Sequence, residues 1–212
     1  YSAHDVIVKY LGAQYSTFQV VFFGVLFSFP LVTLMLVKDS YPGTLRPVHP
    51  GWVAIRTVAI VFTGLSAFYA FSALPMAQVY VILFASPLII TLLSIPILGE
   101  KVGLRRGAAV LVGLIGVMIV MRPGSSPLTL GHLAALVAAF GGALASVIVR
   151  KIGSEERDAV LLVYPMLLNF VVVGALMPFF YKPMPVADIG AAALMAIGAF
   201  VAMTFMIAAS RT

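Results

Sequence analysis

The sequence predicts an all-α integral membrane protein, and three observations carry that reading. Hydrophobic residues make up 62% of the chain and charged residues only 9%, where a soluble domain carries roughly a quarter charged residues. Mean hydropathy is +1.13. The apolar residues are gathered into continuous runs, and a helix needs about 20 such residues to cross a bilayer. So few charges cannot clothe a water-facing surface, so most of the surface is expected to face lipid.

Taken in order, the runs give one partial span and seven complete ones: the tail of a helix at 1–12, then 17–37, 53–73, 76–98, 105–121, 130–150, 159–180 and 188–210. Their length favours helices over barrel strands, which are shorter and alternate in polarity. The chain opens on Tyr1 inside an apolar stretch, so the first span is expected to continue upstream. Pro30, Pro87, Pro96 and Pro165 fall inside spans. Each removes a backbone donor and is expected to kink its helix. The pairs Gly103/Gly107, Gly113/Gly116 and Gly142/Ser146 suit close helix approach.

The connections alternate in charge. One set holds Lys38, Arg46 and Arg56, then Lys101, Arg105 and Arg106, then Arg150, Lys151 and Arg157, then Arg211; the other holds only Lys9, Arg122 and Lys182. The excess of Lys and Arg on cytoplasmic loops places 38–52, 99–106 and 151–158 inside. The turn Ala73-Leu74-Pro75-Met76 and the flexible run Arg122-Pro123-Gly124-Ser125-Ser126-Pro127 then lie outside. Glu100 is expected to start a helix, where a carboxylate complements the helix dipole.

An internal repeat is legible. Val6-Ile7-Val8-Lys9-Tyr10-Leu11-Gly12 matches Val147-Ile148-Val149-Arg150-Lys151-Ile152-Gly153, and the register continues, Leu26 falling on Leu167 and Phe29 on Phe170. The first copy ends a helix on the outside and the second ends one on the inside. The two copies are therefore inverted, dividing the chain into repeats at 1–123 and 130–212. Inverted repeats are common in secondary transporters, with the substrate near the midplane.

Other classes recede. A net charge of +6 would suit nucleic acid, but the basic residues sit in short loops as membrane topology requires. There is no cysteine, which removes disulfides and thiolate chemistry. No phosphate-binding loop, paired-histidine zinc signature or serine elbow is present, and three scattered histidines make no metal site. Neither an enzyme nor a cofactor is expected. The alternatives carried forward are an intramembrane lipid-modifying enzyme, which would need a polar cluster beyond His4 and Asp5, and a membrane subunit without transport of its own.

Candidate site residues follow from polarity and helical spacing. Asp5 is the acidic residue inside a span, where a charge at mid-membrane costs about 2.5–3.5 kcal/mol on insertion scales. Lys9 lies one turn on, in the favourable order for an ion pair, and His4 adds a group that titrates near neutrality. Asp5 with Lys9 is either a substrate- or proton-handling pair or a structural one with Lys9 snorkelling. Tyr80, Phe84, Pro87 and Thr91 form one stripe, and Ser66, Tyr69 and Ala73 another. Together they line an aromatic cleft for a planar or amphiphilic solute or are ordinary packing. Tyr164 and Asn169 are polar positions in the second repeat, and Asn169 serves either substrate or helix–helix contact.

These residues resemble a known family. Ala73-Leu74-Pro75-Met76-Ala77, Ser86-Pro87 and Leu98-Gly99-Glu100-Lys101-Val102 look like the third and fourth helices of the EamA type of the drug/metabolite transporter superfamily. Gly113-Leu114-Ile115-Gly116-Val117 resembles its fifth helix, and His4-Asp5-Val6-Ile7-Val8-Lys9 the end of its first. The resemblance implies ten helices in two inverted five-helix repeats, so that two helices, about 45–50 residues at the length of the first repeat's, are expected after residue 212. It implies secondary transport of a small metabolite by alternating access, in a bacterial inner membrane, with export somewhat favoured. The pattern is similar to members assigned riboflavin, S-adenosylmethionine or amino-acid transport. Many members carry an Arg early in the second helix, where this chain reads Phe22-Phe23-Gly24. The partners expected are a small-molecule substrate, the lipid bilayer and, as a further option, a second copy of the chain in a homodimer; nucleic acid is not expected.

Overall fold

The computed structural model describes residues 7, 10–12, 14–38, 45–121 and 129–209. Among the described residues the regular structure is helical throughout: α1 Thr17–Lys38, α2 Pro50–Ala73, α3 Met76–Leu83, α4 Ser86–Leu98, α5 Leu104–Met121, α6 Leu130–Ile152, α7 Asp158–Phe180 and α8 Val186–Ala209. Among the described residues four apolar stretches are long enough to cross a membrane, Pro50–Ala73, Met76–Leu98, Leu130–Ile152 and Asp158–Phe180. Phe18–Leu34 and Val186–Gly198 are shorter apolar helical stretches. The expected span at 1–12 lies mostly outside the described residues, as does the loop at 122–128.

Local chemistry sets the helix ends. Pro50 opens α2 at a position where its missing amide is not needed. The helix stops at Ala73 because Leu74, which precedes Pro75, is extended at φ −127° and ψ 156°. The expected span at 76–98 is present as one apolar stretch, Met76–Leu98, with a turn inside it that separates α3 from α4. Pro87 has no amide to donate to the Leu83 carbonyl, and the chain passes through a tight turn at Phe84-Ala85 in which the Ala85 amide reaches Ile82 O at 3.0 Å. Pro30, Pro96 and Pro165, by contrast, lie within unbroken helices. Gly99 closes α4 in the left-handed region at φ 71°, where the absence of Cβ removes the strain. Glu100 departs from expectation: it precedes α5 by four residues and takes a hydrogen bond from Arg150 Nη2 at 2.5 Å.

The chain forms two compact units, Leu45–Pro165 and Tyr1–Thr44 with Met166–Thr212. In the first, α2 and α6 pack antiparallel. Gly131 near the start of α6 lies against Ala73 and Leu74 at the end of α2, and Ile148 and Ile152 at its other end join Val53, Val160 and Leu161 in a buried cluster. Alanine and glycine dominate the buried face of α6, among them Ala135, Ala138, Gly141 and Ala143, which lets the two backbones approach. The close contacts fall at Gly131 and Gly141 rather than at the expected Gly142/Ser146 pair: a Cβ at Gly142 would meet only ordinary van der Waals contact. A second cluster joins Ala70, Val79, Ile82 and Ala135. In the other unit α1 packs on α8 around Leu11, Val20, Ala192 and Met195, with Ile7 and Phe23 against them.

The two cores use matching positions. Ile7, Leu11, Val20 and Phe23 stand to Ile148, Ile152, Leu161 and Tyr164 at the one chain spacing that also relates the two heptapeptides. The helices they pack on correspond in turn: Val53, Arg56 and Thr57 are buried on α2, and Ala192, Met195 and Ala196, at a second constant spacing, are buried on α8.

Candidate functional site

The aromatic stripe on α3 survives in part. Tyr80 and Phe84, one turn apart, have ring centroids 6.5 Å apart, and Phe71 of α2 meets Tyr80 edge-on at 5.4 Å. The partner on α2 is thus Phe71 and not the expected Tyr69, because the Leu74-Pro75 turn fixes which face of α2 meets α3. Tyr69, Tyr80 and Phe84 are all exposed, Phe84 by 72%. Tyr80 and Phe84, with Phe71, form an open aromatic face. Pro87 starts α4 and is exposed, and the Thr91 hydroxyl donates to the Pro87 carbonyl at 3.0 Å, so it is engaged within its own helix. Ser66 is half-buried on α2.

Three loops assigned to one side by charge gather at one end of this unit. His49 donates its backbone amide to Glu156 at 2.5 Å and sets its ring nitrogen 2.6 Å from Glu155. Arg150 holds Glu100, and Lys151 donates to Ile97 O at 2.6 Å while lying 4.9 Å over the Trp52 ring. The Tyr164 hydroxyl, packed against this core, donates to Leu45 O at 3.3 Å. Arg56, counted by sequence among the loop cations, is instead inside α2 and 7% exposed, donating Nη1 to Leu161 O at 2.6 Å. Among the described residues Arg56 Nε, Thr57 Oγ1 and Glu156 Oε2 are buried with no hydrogen-bond partner.

The other unit holds a second polar set. The Tyr15 hydroxyl donates to Asp188 at 2.5 Å and Tyr10 reaches the same carboxylate at 3.4 Å. Asp188 is buried in the first turn of α8, where the helix dipole favours its charge. That hydrogen bond first, then burial, then the negative charge of Asp188, push the Tyr15 hydroxyl up to about 12. It therefore remains a donor throughout the neutral range, and the tie is lost only as pH rises through that value. Gln19, fully buried, exchanges two hydrogen bonds with the backbone of Lys182, donating to its carbonyl at 2.7 Å and accepting from its amide at 2.9 Å. Gln14, Tyr15 and Ser16 line a shallow groove of about 420 Å³ with residues 179–182. Asn169 on α7 is half-buried and makes no side-chain hydrogen bond among the described residues. His4, Asp5 and Lys9 lie outside the described residues.

Arg56, Glu156, Gln19, Tyr15 and Asp188 escaped sequence reasoning. Arg56 alone carried a usable signal, a cation one turn inside an apolar run. Asp188 read as an ordinary helix-start acid, and nothing local ties it to a tyrosine more than 170 residues away.

Residues 1–122 match the EamA-like transporter family. An S-adenosylmethionine uptake transporter of Rickettsia bellii is 30% identical over 171 residues, 81% of this chain and 58% of the relative. A riboflavin transporter of Vibrio cholerae is 34% identical over 126 residues, 59% of this chain and 42% of the relative, and one of Brucella anthropi is 28% identical over 171 residues, 79% and 60% of the two chains. The chain therefore spans a little over half the length of the curated relatives it matches first. No solved structure gives a significant match.

Proposed function

Because this chain belongs to the EamA-like transporter family, we propose that it is part of a secondary carrier moving a small metabolite across a bacterial inner membrane by alternating access. A multi-pass membrane protein of this family, whose relatives are named as transporters, points away from catalysis of covalent chemistry. The observation that carries the mechanism is the matched pair of cores. One pattern of buried positions, Ile7, Leu11, Val20 and Phe23 against Ile148, Ile152, Leu161 and Tyr164, recurs at the spacing of the sequence repeat. The loop ties correspond too: Tyr15 stands to Glu156, and Asp188 to His49, at those same spacings, and each pair is joined by a hydrogen bond. This supports repeats at 1–123 and 130–212, and the charge pattern of the loops supports their inversion.

For substrate, we read a solute with a fused nitrogen heteroaromatic ring. S-adenosylmethionine and riboflavin, which the relatives are named for, both carry one. The open face of Phe71, Tyr80 and Phe84 supplies rings for offset or edge-on stacking, worth about 0.5–1.5 kcal/mol a pair. Asp5 with Lys9 is the proposed charge-coupling pair. The test is counterflow of labelled S-adenosylmethionine and riboflavin into proteoliposomes holding the full-length protein. Saturable exchange of either, lost in Tyr80→Ala and altered in its pH dependence by Asp5→Asn, is the expected result. Vesicles no more permeable than protein-free ones to every ring-bearing solute would end this reading.

A further inference from the structure

In a helix the amide of residue 165 would donate to the carbonyl of residue 161. Proline has no amide, so Pro165 leaves the Leu161 carbonyl without its partner. That carbonyl lies in a buried part of α7, Leu161 being 6% exposed, where an unpartnered acceptor is unfavourable. Arg56 Nη1 reaches it at 2.6 Å from α2. Leu26, Leu83, Leu92 and Gly174 lose the same partner to Pro30, Pro87, Pro96 and Pro178, and among the described residues their carbonyls receive no side-chain donor. Leu26 and Leu92 are exposed, and Leu83 and Gly174 half-buried. The guanidinium is thus spent on the most buried of the five gaps.

Arg56 has little else to do there. It is 7% exposed, its Nε has no partner, and no carboxylate pairs with it among the described residues. A buried cation held by one backbone oxygen is a poor choice for stability alone, since an apolar residue of similar volume is often as good. The position of the gap supplies a reason. Pro165 is the last residue of the unit Leu45–Pro165, and the chain leaves that unit within α7 itself, at Met166.

We propose that α7 carries a hinge at Pro165 and that Arg56 is the positioning residue that braces it, replacing from α2 the hydrogen bond that the proline removes. While the brace is made, the first turns of α7 are pinned to α2. When it is released, the missing amide lets α7 bend at that point without breaking a bond of its own. The use of this hinge in transport rests on the carrier reading above; the brace itself does not.

A double-mutant cycle on the full-length protein tests it. Arg56→Met removes the donor and the charge while keeping the stem. Pro165→Ala returns an amide to Leu161 O. Arg56→Met is expected to lower the thermal midpoint in the native background and to lower it by less than about half as much beside Pro165→Ala, as coupled sites require. Should Arg56→Met alone give no folded protein, recovery of folded protein in the double variant is the same result. Equal losses in both backgrounds, or no recovery, overturn the brace. Amide exchange over residues 162–169 should quicken in Arg56→Met and slow in Pro165→Ala; unchanged exchange overturns the hinge. The double variant, folded but with an unhinged α7, is expected to lose about ten-fold or more in flux, since such steps commonly limit turnover. Native flux in it overturns the hinge's part in transport. A native protein that carries nothing, with the stability cycle still coupled, would instead overturn the carrier reading and leave the brace standing.

Discussion

Gly141→Ala is expected to destabilise the protein by about 1–3 kcal/mol, the usual result of overfilling a packed crossing, while Gly142→Ala beside it is expected to be neutral or stabilising. A Cβ at Gly141 would run into Thr63 Oγ1 and lie 3.1 Å from the Ala59 carbonyl. The hydroxyl could turn aside only by giving up its own 2.7 Å hydrogen bond to that carbonyl, and the carbonyl belongs to the α2 backbone and cannot. At Gly142 the nearest atom is Thr63 Cγ2 at 3.7 Å, so an added methyl fits and helix propensity favours it by up to about 1 kcal/mol. Thermal midpoints of the two variants in one detergent give the comparison. Equal midpoints would mean that α2 and α6 do not cross at this glycine.

Gln19→Leu is expected to be the other severe change. Both ends of the Gln19 amide are used on Lys182, and the side chain is fully buried. Leucine would keep the volume and leave a backbone amide and a carbonyl without partners. A buried unpartnered group costs about 1–3 kcal/mol; Lys182 is exposed, so water reaches part of the gap and the sum stays near the low end for the pair. Gln19→Glu keeps the acceptor for the Lys182 amide and should fall between native and Gln19→Leu. A Gln19→Leu protein as stable as the native one would show that the lock is idle.

The spans were legible because a membrane helix announces itself by length and apolarity alone. Helix ends came out within a few residues wherever proline, glycine or a basic last turn set them, as at Ala73, Gly99 and Lys151. The break at Phe84-Ala85 was not legible. Pro30, Pro87, Pro96 and Pro165 look alike in the sequence, and the break falls only ahead of Pro87, where the chain turns at Phe84-Ala85. The same limit hid Arg56, whose role is defined by a gap in another helix 105 residues on. The aromatic stripe was half legible: Tyr80 and Phe84 are neighbours by helical period, but the choice of Phe71 over Tyr69 depends on the phase that a proline turn imposes between helices. Asp5, His4 and Lys9, the charges that sequence valued most, lie outside the described residues. The Tyr15–Asp188 and Gln19–Lys182 ties come from opposite ends of the chain and have no local trace.

The proposed carrier mechanism requires a single pattern used twice with opposite direction through the membrane. Gln14 and Ser154 sit in the corresponding connections of the two proposed copies, and both are exposed. Single cysteines at these positions, in a chain that has none of its own, report the side directly through a membrane-impermeant thiol reagent applied to intact cells. The inverted repeat predicts that Gln14→Cys is labelled and that Ser154→Cys is labelled only after the membrane is opened. Both cysteines reacting in intact cells, or both reacting only after permeabilisation, would place the two copies in the same direction and contradict the account.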